Sequence, residues 1–164
     1  MILLGLGANL PSPAGAPVET LRFALGKLAT LGIVPLRTSN FFAAAAWPDP
    51  ADPEFVNAVA QVETVLDPAT LLNELHAIEE QMGRRRGARN APRILDLDLL
   101  DYHGRVDTGP PELPHPRMVE RGFVLIPLSE LAPNWRHPTT NRTVDALISA
   151  LPPDQRQIRR LILE

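Results

Sequence analysis

Apolar segments in the order strand, helix, strand, strand, helix, strand predict an α+β domain with a ferredoxin-like βαββαβ core. Its sheet would be mixed or antiparallel with helices packed on it, and its long loops would be available for binding substrate. Three observations carry this expectation. Two stretches space their apolar residues at helical intervals, and each has a proline at its start and a glycine at its end. The intervening runs are short, apolar or alternating, as strands are. The chain has 164 residues, enough for one core that removes ~70% of the unfolded surface from water, so residues 1–164 are expected to form a single domain.

In chain order, residues 2–6 read as an interior strand that ends in a tight turn over Gly5-Leu6-Gly7-Ala8-Asn9. Residues 16–31 carry Val18, Leu21, Leu25 and Leu28 at helical spacing, with Pro17 in the first turn and Gly32 beyond the last. Residues 33–42 read as a strand. Residues 43–53, with five alanines, Trp47 and three prolines, read as a connection without a regular period. Residues 55–66 alternate, with Phe55, Asn57, Val59 and Gln61 on one face and Val56, Ala58, Ala60 and Val62 on the other. Asp67 is an N-cap and Pro68 a first helical residue for a helix to about Met82, which Gly83 stops. An arginine-rich loop runs to Pro92, and residues 94–100 form the next strand. Prolines keep Leu113-Pro114-His115-Pro116-Arg117-Met118 out of long helix. Residues 123–131 read as a short helical or irregular packed segment, residues 143–151 as a helix, and Pro152-Pro153 opens a polar C-terminal piece.

Composition narrows the function classes. The chain is 45% hydrophobic and 21% charged, outside the ranges of disordered and membrane-spanning proteins. The first ten residues lack the basic start and greasy run of a secretory signal, so a cytoplasmic location is expected. Without cysteine, any metal falls to carboxylate or imidazole, and His76, His103 and His137 have no partners at zinc spacing. The net charge is -3, yet Arg84, Arg85, Arg86, Arg89 and Arg93 stand in ten residues that hold no acid. A local cationic loop on an acidic protein suits a small polyanion and argues against long nucleic acids, which want a broad basic face.

The most informative local pattern is Asp96-Leu97-Asp98. Residues i and i+2 of a strand share a face, so the two carboxylates meet side by side while Leu95, Leu97 and Leu99 pack on the other face. Such a pair suits Mg²⁺ shared with nucleotide phosphates, because magnesium takes a few carboxylates plus waters and phosphate oxygens. The alternative is two solvent-facing acids at a strand edge. Asn57 is an amide where a core strand would carry an aliphatic residue, and with Phe55 and Phe123 it could hold a flat heterocycle, although core packing accounts equally well for both rings. His115 between its prolines, followed by Arg117 and Arg121, could touch phosphates or protonate a leaving group, or simply cap a turn. Asn9 reads as a turn residue, and no GxGxxG or Walker sequence is present.

Taken together, Gly5-Leu6-Gly7-Ala8-Asn9-Leu10, Phe55-Val56-Asn57, Ile78-Glu79 to Gly83-Arg84, Pro92-Arg93-Ile94-Leu95-Asp96-Leu97-Asp98, and Leu113-Pro114-His115-Pro116-Arg117-Met118 with Arg121-Gly122-Phe123 resemble the 6-hydroxymethyl-7,8-dihydropterin pyrophosphokinases of folate biosynthesis. The resemblance covers nearly the whole chain. It implies transfer of pyrophosphate from ATP to the hydroxymethyl oxygen of the reduced pterin, leaving AMP. It also implies that Asp96 and Asp98 bind two Mg²⁺ ions, with Asp96 also on the substrate side, and that Arg84 and Arg93 act on the transferring phosphates. Arg86, His76, Glu79, His115 and Arg121 would lie on the nucleotide side, and Phe55, Asn57 and Phe123 around the pterin. The implied partners are ATP and the hydroxymethylpterin, on a protein expected to be a monomer that binds neither nucleic acid nor membrane. The sequence departs from the family where Asn90-Ala91 stands in place of a loop tryptophan and Ala43 to Ala46 replace an Arg-Thr-Pro-Pro type of segment. The competing expectation is a catalytically idle pterin or nucleotide binder of the same fold.

Overall fold

The computed structural model describes residues 1–46, 49–83 and 94–164. Strand β1 (Ile2–Ala8) lies between β4 (Phe55–Glu63) and β5 (Asp96–Tyr102), antiparallel to both. On the far side of β4, β2 (Val34–Thr38) and β3 (Phe42–Ala44) lie end to end along the same edge. With α1 (Pro17–Thr30) after β1 and α2 (Pro68–Gln81) after β4, the order is the expected βαββαβ, with its second strand broken in two. Every strand pair described is antiparallel.

Alternation along the strands builds two cores, one on each face of the sheet. Ile2, Leu4, Leu6, Val56, Ala58, Ala60, Leu97 and Leu99 meet Leu21, Leu28, Leu71, Leu75 and Ile78 of the first two helices. The other face presents Leu3, Val59 and Leu100 to α3 (Gly122–Leu131) and α4 (Val144–Ser149) through Val124, Leu125, Leu128, Val144 and Leu147. Burial on this scale is the main drive to fold, at ~25 cal/mol per Å² of apolar surface. The Asp67 carboxylate accepts the Thr70 amide at 2.8 Å and caps α2 as expected, and that bond holds its pKa below the ordinary carboxylate value.

The structure corrects four details. The glycines of the opening motif do not turn; β1 runs through both and ends at Ala8. The strand expected over residues 33–42 breaks at Ser39, whose own amide reaches Val59 O while its hydroxyl accepts the Val59 amide, so a side chain replaces part of the ladder. Glu130 of α3 then takes both the Asn40 amide, at 2.6 Å, and its side chain, at 2.9 Å, and the chain restarts as β3 inside the stretch read as irregular. The polar C-terminal piece contributes β8 (Ile158–Arg160), which pairs with β3. Three residues with two exposed arginines carry no periodic signal. Between β5 and α3, short strands β6 (Asp107–Thr108) and β7 (Glu112–Leu113) form a separate hairpin. Among the described residues, no helix is long and apolar enough to cross a membrane.

Candidate active site

Strand register places the polar groups of the sheet in one patch. Gly7 is paired with Asn57 on one side and Asp96 on the other, and Gly5 with Val59 and Asp98. Paired residues share a face, so Asn57, Asp96 and Asp98 face the α3 side of the sheet across a strip of β1 that carries no side chains. Only Gly7 is required to be bare: a Cβ there would lie 3.0 Å from Asn57 Oδ1, closer than ordinary contact, whereas one at Gly5 would meet the Leu100 methyls at 3.5 Å and Asp98 Cβ at 3.7 Å, ordinary packing distances. The result is a trough with an amide on one bank and two carboxylates on the other. Alternating glycines inside a strand are the sequence signal for it, and the expected turn at this position misread that signal.

Phe42 and Phe55 extend the amide bank. Phe42 sits opposite Asn57 and Phe55 opposite Ala44, so both phenylalanines share the Asn57 face. Phe42 was not foreseen, because the break that creates β3 is invisible to periodicity. Asn57 is 4% exposed, and its Nδ2 has no hydrogen-bond partner among the described residues. A buried donor left without an acceptor costs about 1–3 kcal/mol, so this Nδ2 is poised to take an acceptor from beyond the described residues.

On the carboxylate bank, Arg121 NH1 lies 3.4 Å from Asp98 Oδ2, and its guanidinium is 5.6 Å from the centre of the Phe123 ring. The His115 amide donates to Leu100 O at 2.8 Å, which fastens the proline-bounded segment to β5 and brings Nε2 to 3.9 Å from Asp98 Oδ1. His115 Nδ1 accepts the Arg117 amide at 3.2 Å, which leaves the ring proton on Nε2. Burial, reinforced by the Arg121 cation and opposed by Asp96, pushes the His115 pKa down to about 4. The ring is therefore neutral near pH 7 and presents an N–H rather than a charge.

This shift sets a pH dependence. The folded ring titrates below the ordinary 6.5, so the unfolded chain binds the extra proton between pH 6.5 and about 4. The contribution of His115 to stability is complete above that window and is lost as pH falls through it. Urea midpoints of the protein without ligands should drop across this range, and His115→Gln should flatten the drop. A variant with the parent's slope would show that the histidine is not the group responsible.

Of the other residues expected at the site, Glu79 and His76 lie on α2, behind the sheet. Glu79 is 2% exposed, and its Oε1 accepts the Leu97 amide at 2.7 Å, so it meets β5 at the backbone. His76 is half-buried. Asn9, expected as a turn residue, donates its Nδ2 to Pro53 O at 3.2 Å, 44 residues along the chain. Arg84, Arg86 and Arg93, with the rest of the arginine loop, lie outside the described residues. The carboxylate pair fits magnesium. Among the described residues no cluster of three or more metal-ligating side chains forms, and Mg²⁺ asks for one or two carboxylates with phosphates and waters completing its shell.

An amide-and-aromatic bank facing paired carboxylates is the arrangement that a heterocyclic alcohol and a metal nucleotide would need. A family model described as 7,8-dihydro-6-hydroxymethylpterin-pyrophosphokinase (HPPK) matches residues 3–133. The chain belongs to the HPPK family. It is 37% identical over 148 residues to a 2-amino-4-hydroxy-6-hydroxymethyldihydropteridine pyrophosphokinase of Synechocystis, covering 89% of this chain and 73% of that one. It is 38% identical over 159 residues to the protein of that name from Pseudomonas aeruginosa, covering 92% and 91%. A crystal structure of Plasmodium falciparum HPPK-DHPS aligns over 99% of this chain and 48% of the larger one, with a TM-score of 0.73 at 15% identity. At that identity the likeness shows the HPPK fold.

Proposed function

We propose that this HPPK-family protein transfers the pyrophosphoryl group of ATP to 6-hydroxymethyl-7,8-dihydropterin in the trough, releasing AMP. The observation that carries the reading is the buried Asn57 Nδ2, without a partner among the described residues, on the bank facing Asp96 and Asp98 across the Gly5–Gly7 strip. The pterin ring lies between Phe55 and Phe123, with Asn57 bonded to its polar edge. The hydroxymethyl group then points toward the carboxylate bank.

Asp96 and Asp98 would hold Mg²⁺, which would supply charge neutralisation on the phosphates and lower the pKa of the attacking hydroxyl. Arg121, oriented by Asp98 and by the Phe123 ring, presents its guanidinium to phosphate oxygens, and the His115 N–H adds a neutral donor beside it. Arg84 and Arg93 are proposed to meet the transferring phosphates and Arg86 the nucleotide, on the strength of their sequence motifs. Donors and cations arranged before reaction stabilise charge that grows on phosphoryl oxygens, which is where most of the rate of such transfers comes from. A single domain acting as a cytoplasmic monomer completes the reading.

The test is incubation with ATP, Mg²⁺ and the reduced hydroxymethylpterin while AMP is followed. Binding of both ligands without AMP would establish the idle binder instead. Asn57→Leu isolates the carrying observation. It removes an unpaired donor, so the melting temperature should stay within a few degrees of the parent, whereas pterin affinity should fall about 10- to 100-fold, as when a polar site loses a buried bond. Calorimetry with the pterin, and separately with a non-hydrolysable ATP analogue, reads both. An unchanged pterin affinity would remove Asn57 from the substrate site.

A further inference from the structure

We propose that Glu79 is a positioning residue for the Asp96–Asp98 pair. Its carboxylate, docked on the Leu97 amide, holds the edge of β5 in the register that turns both aspartates into the trough. The inference rests on the reading of that pair as the magnesium site.

Among the described residues, strand β5 ends the sheet, pairing with β1 and with no other strand of the path β5-β1-β4-β3-β8. The peptide groups on its outer side therefore lack a ladder, and the Leu97 amide, between the two aspartates, is one of them. Glu79 supplies the missing acceptor at 2.7 Å from the neighbouring helix. Glu79 is 2% exposed and Leu97 is 1% exposed, so water does not compete for this bond.

Register needs such a fastening here more than elsewhere. A one-residue slip would send Asp96 and Asp98 into the core and Leu97 into the trough. Two like charges on one face favour any displacement that parts them. The facing residues Gly5 and Gly7 have no side chains with which to resist it. Pairing is already irregular close by, where the register of β1 and β5 shifts between Leu3 and Leu4. The inner edge of β5 at Leu97 faces Leu6 of β1, and Glu79 fixes the outer edge at the same residue.

The experiment compares the parent with Glu79→Gln, Glu79→Asp and Glu79→Ala. Mn²⁺ binding is read by electron paramagnetic resonance with a non-hydrolysable ATP analogue present, beside melting temperature and pterin affinity. Gln keeps an acceptor at the same reach and should hold Mn²⁺ within about threefold of the parent. Asp keeps the charge but falls short of the amide. It and Ala should weaken Mn²⁺ binding tenfold or more in folded protein whose pterin affinity is near the parent's. Should Ala fail to fold, the Gln and Asp pair decides. Parent-like Mn²⁺ affinity in Asp or Ala would reduce Glu79 to a purely structural role, and loss in Gln equal to that in Ala would assign the effect to charge; either overturns the proposal. Failure of the parent itself to bind Mn²⁺ would instead remove the metal reading beneath it.

Discussion

Alanine in place of either Asp96 or Asp98 should abolish AMP formation, lowering turnover by about 10³-fold or more with both substrates saturating. The two side chains stand on one face of β5 at the sheet edge, and Asp98 is 28% exposed, so neither is part of the packed core and its removal opens no cavity. Separating like charges even relieves some repulsion. The melting temperature should therefore stay near the parent's, and the loss should fall on the chemical step. The two variants should also differ. Asp98 holds Arg121 at 3.4 Å and lies 3.9 Å from His115, so Asp98→Ala frees the guanidinium as well as removing a ligand for the metal. Without Mg²⁺, a nucleotide should bind Asp98→Ala at least as well as the parent, because one negative charge has left the neighbourhood of the phosphates. Rapid-quench transfer, with equilibrium nucleotide binding at zero and saturating Mg²⁺, reads both effects. Turnover near the parent's rate in both single variants would falsify the assignment of the pair.

How much of this was legible in the sequence depends on whether the signal was local. Asp96-Leu97-Asp98 needed only the two-residue period of a strand to place both acids on one face, and the sheet agrees. The caps of α2 and the two-faced alternation of β4 were equally local. What could not be read was set by contacts between distant segments. Ser39 breaks an apolar run because its hydroxyl takes the Val59 amide twenty residues away, and Glu130 secures the break from α3. Phe42 thereby arrives opposite Asn57, a neighbour that no spacing along the chain suggests. Glu79 was carried to the nucleotide side by its motif alone, whereas its carboxylate meets the backbone of β5. Asp101 shows the same limit. A third acid in one strand gives no hint that Asp101 is 3% exposed, its carboxylate bonded to Trp135 Nε1 and the Gly104 amide.

The C-terminal residues matter to the site although the matched family segment ends at residue 133, and Gly122→Ala is the substitution that tests this. Gly122 opens α3 between Arg121 and Phe123, and a Cβ there would run into the carbonyl oxygen of Gln155, with the carbonyl carbon only 2.7 Å away. Gln155 belongs to a 3-10 turn, Pro153–Arg156, laid against the start of the helix, and the obstacle is its backbone, which no rotamer change can clear. Helix propensity alone favours alanine over glycine by about 1 kcal/mol. Forcing a methyl group into closed backbone costs about 1–3 kcal/mol and occasionally more, and this approach belongs at the upper end. The steric term should win by about 2 kcal/mol, lowering the melting temperature by roughly 4–8 °C for a chain of this length. The damage should also be directional: to admit the methyl group, the start of α3 must move away from the turn, and it carries the Arg121 guanidinium and the Phe123 ring with it. Below its lowered melting temperature, the variant should bind pterin about tenfold more weakly while the fluorescence of Trp135, held by Asp101 in the same core, stays native. Thermal melts, pterin calorimetry and tryptophan emission on one preparation separate these effects. A melting temperature equal to or above the parent's would mean that propensity outweighs the contact and that the C-terminal turn does not brace this corner of the site.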